Sequence, residues 1–200
     1  MQIQLEEFKL NFFHGGWGKV SAAATTQYAI DHFRPDLLIN LGTCGGFEGV
    51  IETGQVILAA RTIIYDIQEQ MTDPDEAITH YSTELDLSWL PRVVPSPVLR
   101  GLLVSADRDL LKEDIPMLIS KYDAVAADWE SGAIAWVAKR NQTKCLILRG
   151  VTDLVGPEGG EAYGDFELYQ RRTKEMMRTL IGQLPRWLRA IEKESTGQEK

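Results

Sequence analysis

Residues 20–46 read VSAAATTQYAIDHFRPDLLINLGTCGG, and three consecutive signals in this stretch decide the fold. Val20 to Phe33 is Ala-rich with apolar residues every three or four positions, which predicts a helix, and Pro35 stops it. Leu37 to Leu41 is a short apolar run of strand length, and Gly42, Gly45 and Gly46 then open a glycine-rich turn. Helix, stop, buried strand and glycine turn, in that order, are a repeating unit of α/β proteins. The alternation continues outward. Phe8 to Phe13, Gln55 to Ala60, Gly101 to Ser105, Ala124 to Ala127 and Cys145 to Gly150 are predicted strands. Helices are expected from Ser131 to Arg140 and from about Phe166 past Met176, Leu180 and Leu184, the last one bent near Gly182 and Pro185. Strands that are apolar throughout belong to a sheet covered on both faces. Met71 to Pro97 lacks a clear period and is expected to be an irregular excursion or short hairpin, and GPEGGEAYG (Gly156 to Gly164) a mobile loop beside a site.

The 200 residues read as one domain, with 192–200 as a frayed tail. A chain of this size buries about 70% of its unfolded surface, enough for a core without disulfides or metals. Hydrophobic residues make up 44% of the chain and five are Trp, which excludes disorder. With 21 Lys and Arg against 29 Asp and Glu the net charge is −8, so nucleic acid and anionic membrane surfaces are not expected partners. No apolar stretch approaches the roughly 20 residues needed to span a bilayer. Glu6 and Glu7 stand where a signal peptide would be basic and then apolar, and Cys44 and Cys145 read as reduced core thiols. A cytoplasmic protein is expected, in which the Asn141-Gln142-Thr143 sequon is idle.

Three strand ends run into small or acidic clusters, the edge at which open α/β sheets bind ligands. The first is Asn40 to Gly46, where glycines let backbone amides approach a ligand and Thr43 offers a hydroxyl; a plain glycine turn fits equally well. The second is Ala126 to Ser131, with Asp128 and Glu130 flanking Trp129 at a helix start; Asp128 is also read as a cap of that helix, and Glu130 as favouring its positive end. The third is Arg149 to Asp153, whose aspartate also suits a turn. Gly15 to Lys19 is not a phosphate loop, because Phe13 stands where the first glycine belongs and Val20 follows the lysine. Asp107-Arg108-Asp109 lacks further ligands at metal spacing, and His14, His32 and His80 form no relay.

GGWGKVSAAATTQYAIDHFRPDLLINLGTCGGF, RGLLVSAD, DWESGAIAWVA and ILRGVTD, in this order and spacing, resemble the nucleoside phosphorylase and nucleosidase superfamily, nearest to its 5′-methylthioadenosine/S-adenosylhomocysteine nucleosidases. The resemblance covers roughly residues 14 to 190 and implies a three-layer α/β fold with a central mixed β-sheet flanked by helices. It implies Asp153 as the acid at the purine N7 and Glu130 as the carboxylate that grips the ribose hydroxyls and faces the cationic sugar. By the same resemblance Thr43, Cys44 and Gly45 line sugar and base, Trp129 packs under the ribose, and Thr152 supports the acid. Trp17 stands for a smaller pocket residue, Leu110 reads the base edge through its main chain, and Tyr163 closes over the purine. Asp109 stands where an aromatic usually stacks on the base. The family's opening strand and its water-positioning glutamate have no counterpart, since Glu6 and Glu7 precede what reads as the next strand. No cofactor or metal is expected. The implied partner is a purine nucleoside, the implied assembly a homodimer or larger homo-oligomer, and the implied reaction N-glycosidic cleavage. The alternatives are a catalytically weak or inactive nucleoside-binding relative or subunit, and a purine nucleoside phosphorylase.

Overall fold

A computed structural model describes residues 1–197. The chain runs β1 (Gln2–Leu5), β2 (Phe8–Asn11), α1 (Gly18–Phe33), β3 (Leu37–Phe47), β4 (Val56–Ile64), α2 (Pro74–His80), β5 (Ser82–Glu84), β6 (Leu99–Ser105), α3 (Ile115–Tyr122), β7 (Ala124–Asp128), α4 (Ser131–Arg140), β8 (Lys144–Gly156), β9 (Gly159–Gly160) and α5 (Phe166–Gly197). β1 and β2 form a separate antiparallel hairpin. The other seven strands form one mixed sheet in the order β5-β4-β6-β7-β3-β8-β9. β4 also pairs with β8 through Val56–Gly150, Ile57–Arg149 and Leu58–Leu148, so the sheet closes on itself.

The sheet is central because its strands bury both faces. Successive side chains point to opposite sides. Ile57 and Ala59 of β4 and Ile147 of β8 pack with Ala133, Ile134, Ala135 and Ala138 of α4 and Ala22 of α1. Val56 and Leu58 of β4 and Leu146 and Leu148 of β8 pack instead with Met176, Leu180 and Trp187 of α5. The Trp187 indole is buried and donates its N–H to Ser96 Oγ at 3.1 Å, tying the long helix to the loop before β6. α3 covers a third cluster through Ile115 and Leu118.

Several expectations from the sequence are corrected. Asn40 to Gly46 is not a turn: β3 continues to Phe47, paired in parallel with β8 along its length and with β7 at Gly45 and Gly46. β8 likewise runs to Gly156, so Asp153 sits within a strand. Partner strands on both sides satisfy the glycine backbone, which no local signal in the sequence reports. Residues 71–97 contain α2, started by Pro74 with Asp73 as a side-chain cap, and β5. Neither is long enough to display a period. α5 passes Gly182 and Pro185 and reaches Gly197, so residues 192–197 are helical and not a frayed tail; residues 198–200 lie outside the described residues. Within 156–164, β9 turns back on the end of β8. Among the described residues no helix is long and apolar enough to cross a membrane.

Candidate functional site

The register of three strands sets the geometry. Gly45 of β3 is the partner of Ala127 in β7 on one side and of Asp153 in β8 on the other. Between Cys44 and Gly45 the β3–β8 register shifts, because Val151 pairs with Cys44 and Asp153 with Gly45, leaving Thr152 as the extra residue. Such a bulge re-aims the side chains around it. Here the buried Thr152 hydroxyl lies 2.8 Å from Asp153 Oδ1 and 3.4 Å from the Cys44 carbonyl, joining β8 to β3 at the point of the bulge.

Asp153 is 7% exposed. Burial pushes its carboxyl above the ordinary aspartate range; the Thr152 hydroxyl pulls it down, Glu161 pushes it up, Arg172 pulls it down and Asp109 pushes it up. Glu161 and Arg172 are a pair at 2.8 Å, and Arg172 also donates to the Thr152 carbonyl at 3.0 Å, so α5 braces the strand that carries Asp153. On the far side of Asp153, the Tyr163 hydroxyl donates to the Leu110 carbonyl at 2.8 Å. Burial and the nearby Asp109 and Asp153 push that phenol up to about 12.

Glu130 follows β7 and precedes α4. Its Oε1 accepts the Gly18 N–H at 3.0 Å, and its Oε2 faces Arg149 Nη2 at 3.5 Å. Burial pushes this carboxyl up as well, opposed by Arg149 and the Gly18 amide. Arg149 is the hub. Its Nε lies 3.0 Å from Asp128 Oδ2 and 3.0 Å from Ser131 Oγ, and its Nη1 donates to the Thr43 carbonyl at 3.2 Å. The Arg149 and Asp128 side chains are only 6% and 2% exposed. Asp128 also accepts from Ser105 Oγ and from the Glu130 and Ser131 amides, and so caps α4 from within the core. A Cβ on Gly42 would lie 2.2 Å from Arg149 Nη1, so only glycine leaves the guanidinium its place.

The structure therefore brings Thr43, Cys44, Gly45, Thr152 and Asp153 together inside the paired strands β3 and β8, with Glu130 just past the end of the neighbouring β7. Trp129 is partly exposed at the start of α4. Trp17 is not gathered in: its side chain is 81% exposed, and only the following amide, that of Gly18, reaches Glu130. The Leu110 side chain lies in the cluster under α3, and Tyr163 occupies its carbonyl. Two open surface hollows lie elsewhere, one of about 500 Å³ lined by Leu90, Arg92 and Arg100 among others, and one of about 460 Å³ beside α2. Among the described residues no group of three or more His, Cys, Asp or Glu is placed to hold a metal ion.

The sequence profile of the phosphorylase superfamily matches residues 11–182. The chain belongs to that superfamily. The 5′-methylthioadenosine/S-adenosylhomocysteine nucleosidase of Thermotoga maritima is 30% identical over 154 residues, 75% of this chain and 68% of the relative, and places the chain in that nucleosidase family. The enzyme of the same name from Bacillus licheniformis is 25% identical over 184 residues, 80% of this chain and 78% of the relative. A solved structure of the S. pneumoniae nucleosidase with a transition-state inhibitor shares the fold at a TM-score of 0.72 and 20% identity, covering 95% of this chain and 85% of that one.

Within this nucleosidase-family chain, sequence reasoning missed the roles of Arg149, Gly18, Glu161 and Arg172. Arg149 alone left a signal: a cation inside the run CLILRGV, where an unpaired charge would be too costly to keep. The others act through side-chain and main-chain partners that no contiguous motif displays, as Glu161 does with Arg172 and Gly18 with Glu130.

Proposed function

We infer that this protein cleaves the N-glycosidic bond of a 5′-modified adenosine, such as 5′-methylthioadenosine or S-adenosylhomocysteine, by hydrolysis. The observation that carries this reading is that a buried carboxyl shifted toward its protonated form pairs with Gly45 from β8, while just beyond the other strand partner of Gly45, Ala127, stands a second carboxyl fixed by an amide and a guanidinium. Asp153 donates to N7 of the purine, so that the base departs neutral. Glu130 holds the ribose hydroxyls and faces the oxocarbenium-like sugar as the bond lengthens. Thr152 orients Asp153, and Arg149 orients Glu130.

Hydrolysis is favoured over phosphorolysis by the turn before α1. A strand-to-helix turn is where an anion would find free amides. Here the Gly18 amide is taken by Glu130 and the Lys19 amide by Asp107 at 2.7 Å, while the Lys19 ammonium pairs with Asp66 and lies 3.7 Å from Asp107. A phosphate at this position would meet three carboxylates. Purified protein incubated with 5′-methylthioadenosine should release adenine and the free thiosugar at the same rate with or without phosphate, as read by chromatography. A sugar phosphate product would replace hydrolysis with phosphorolysis. Binding without cleavage would leave a nucleoside-binding protein.

Glu130→Gln should raise KM and lower kcat together, because it weakens the bonds to the sugar and removes charge facing the cation. A hydrogen bond to a charged group is worth about 1.5–3 kcal/mol, so kcat/KM should fall roughly 10- to 100-fold. A variant with an unchanged kcat/KM would remove Glu130 from the site. The pH profile tests the acid separately. Activity should decline as pH rises through the elevated Asp153 value, and Arg172→Gln, which removes an opposing cation, should move that decline to higher pH. A shift to lower pH would contradict the assignment.

A homodimer or larger homo-oligomer and a cytoplasmic location belong to the same proposal. Exposed Trp17, Val20 and Tyr28 on and beside α1 support the first, and the buried free thiols Cys44 and Cys145 the second. Light scattering at micromolar concentration should give a mass above that of one chain; a monomer would count against the assembly.

A further inference from the structure

Three segments far apart in sequence meet at the start of α1. Asp66 follows β4, Asp107 follows β6, and Gly18 and Lys19 begin the helix. Asp66 Oδ2 accepts the Asp107 N–H at 3.0 Å, and its Oδ1 takes the Lys19 ammonium. Asp107 Oδ1 accepts the Lys19 N–H at 2.7 Å, and its Oδ2 faces the same ammonium at 3.7 Å. The lysine is thus held at both ends, by its main chain and its side chain. The neighbouring amide, that of Gly18, is the donor to Glu130 Oε1.

Gly18 has a φ of +78°, and a Cβ there would lie 2.7 Å from Asp107 Oδ1. The helix start is therefore seated directly on the Asp107 carboxylate, in a conformation that side-chain-bearing residues rarely adopt. With Arg149 Nη2 as far as 3.5 Å from Glu130 Oε2, the Gly18 amide is the nearer of the two donors that set this carboxylate's direction. The Asp107 and Glu130 carboxylates occupy the Lys19 and Gly18 amides that an anion would otherwise take.

We propose that Asp107, together with Lys19 and Asp66, positions Glu130: the clamp fixes the first turn of α1 so that the Gly18 amide presents the Glu130 carboxylate to the sugar. Asp107 is a positioning residue, acting through Lys19 and Gly18. It makes the sugar end of the site depend on a contact between the ends of β4 and β6, while the base end around Asp153 has supports of its own in Thr152 and α5. This rests on the reading of Glu130 as the ribose-gripping carboxylate.

Adenine carries the base without the sugar, and so separates the two ends. Asp107→Ala should lower kcat/KM for 5′-methylthioadenosine about 10- to 100-fold, the scale of a misplacement near 1 Å, while the inhibition constant of adenine stays at its wild-type value. Asp107→Asn keeps an acceptor for the Lys19 amide and should recover most of the loss. Lys19→Met, which leaves the two aspartates facing each other without a cation, should show the same split, and carries the test if Asp107→Ala fails to fold. Unchanged kcat/KM in Asp107→Ala and Lys19→Met overturns the proposal. So does an equal loss for adenine and nucleoside, which is what a merely structural role would give. A wild type that binds but does not cleave fails the nucleosidase reading alone, and calorimetric affinities for the same two probes then make the comparison. A wild type that binds neither overturns both.

Discussion

Asp153→Asn is expected to lower kcat by about 10² to 10⁴ while leaving substrate affinity and folding intact. The amide keeps the shape and still meets the Thr152 hydroxyl, but has no proton acidic enough to transfer to N7. Stability should move the other way from activity. Burial raises the folded-state value of the Asp153 carboxyl above its unfolded one, so its favourable contribution is complete below the unfolded value and is lost as pH rises through the folded value. Above that range the wild type holds a buried charge that asparagine lacks, and Asp153→Asn should melt no lower than wild type at neutral pH. Stopped assays with 5′-methylthioadenosine and thermal melts at two pH values check both halves. A variant that keeps the wild-type rate would exclude Asp153 as the acid, and one that loses rate only because it unfolds would leave the role unproved.

Arg149→Met is expected to cost about 3–5 kcal/mol of stability, the scale seen when one member of a buried ion pair is removed and the other is left uncompensated. The abandoned partner is Asp128, with 2% of its side chain exposed. The Thr43 carbonyl loses its donor at the same time, and Glu130 loses its guanidinium partner. For a domain of this size the melting temperature should fall by roughly 6–20 °C. Asp128→Asn added to Arg149→Met should return part of the loss, because the charge left behind is then gone. A double variant no more stable than the single one would show that the guanidinium stabilises through packing. Activity of the folded fraction should fall as well, since Arg149 and the Gly18 amide together hold Glu130.

The helices show how far local pattern reaches. α4 runs from Ser131 to Arg140 as its period requires, and α1 ends at Phe33, where Arg34 adopts a left-handed cap ahead of Pro35. The four motif blocks were also enough to indicate the family, and with it Asp153 and Glu130 as the residues to examine. Short or glycine-rich elements were not legible. α2 and β5 are too brief to show periodicity, and β3 and β8 run on through glycines because neighbouring strands satisfy their backbones.

The sequence by itself determined the α/β class, the two-faced burial of the strands and the family, because each is written in periodicity or in contiguous residues. Tertiary structure alone decided three things: the closure of the sheet by β4 against β8, the bulge at Thr152 beside Asp153, and the two charge clusters, Arg149 with Asp128 and Glu130, and Lys19 with Asp66 and Asp107. The reason is physical. Strand pairing and buried ion pairs join residues tens of positions apart, and their free energy depends on distance and desolvation in the folded chain, neither of which has a local signature. An aspartate in or just after a strand reads the same in sequence whether it caps a helix, clamps a lysine or lies buried beside a bulge. Only its neighbours in space separate Asp128, Asp107 and Asp153.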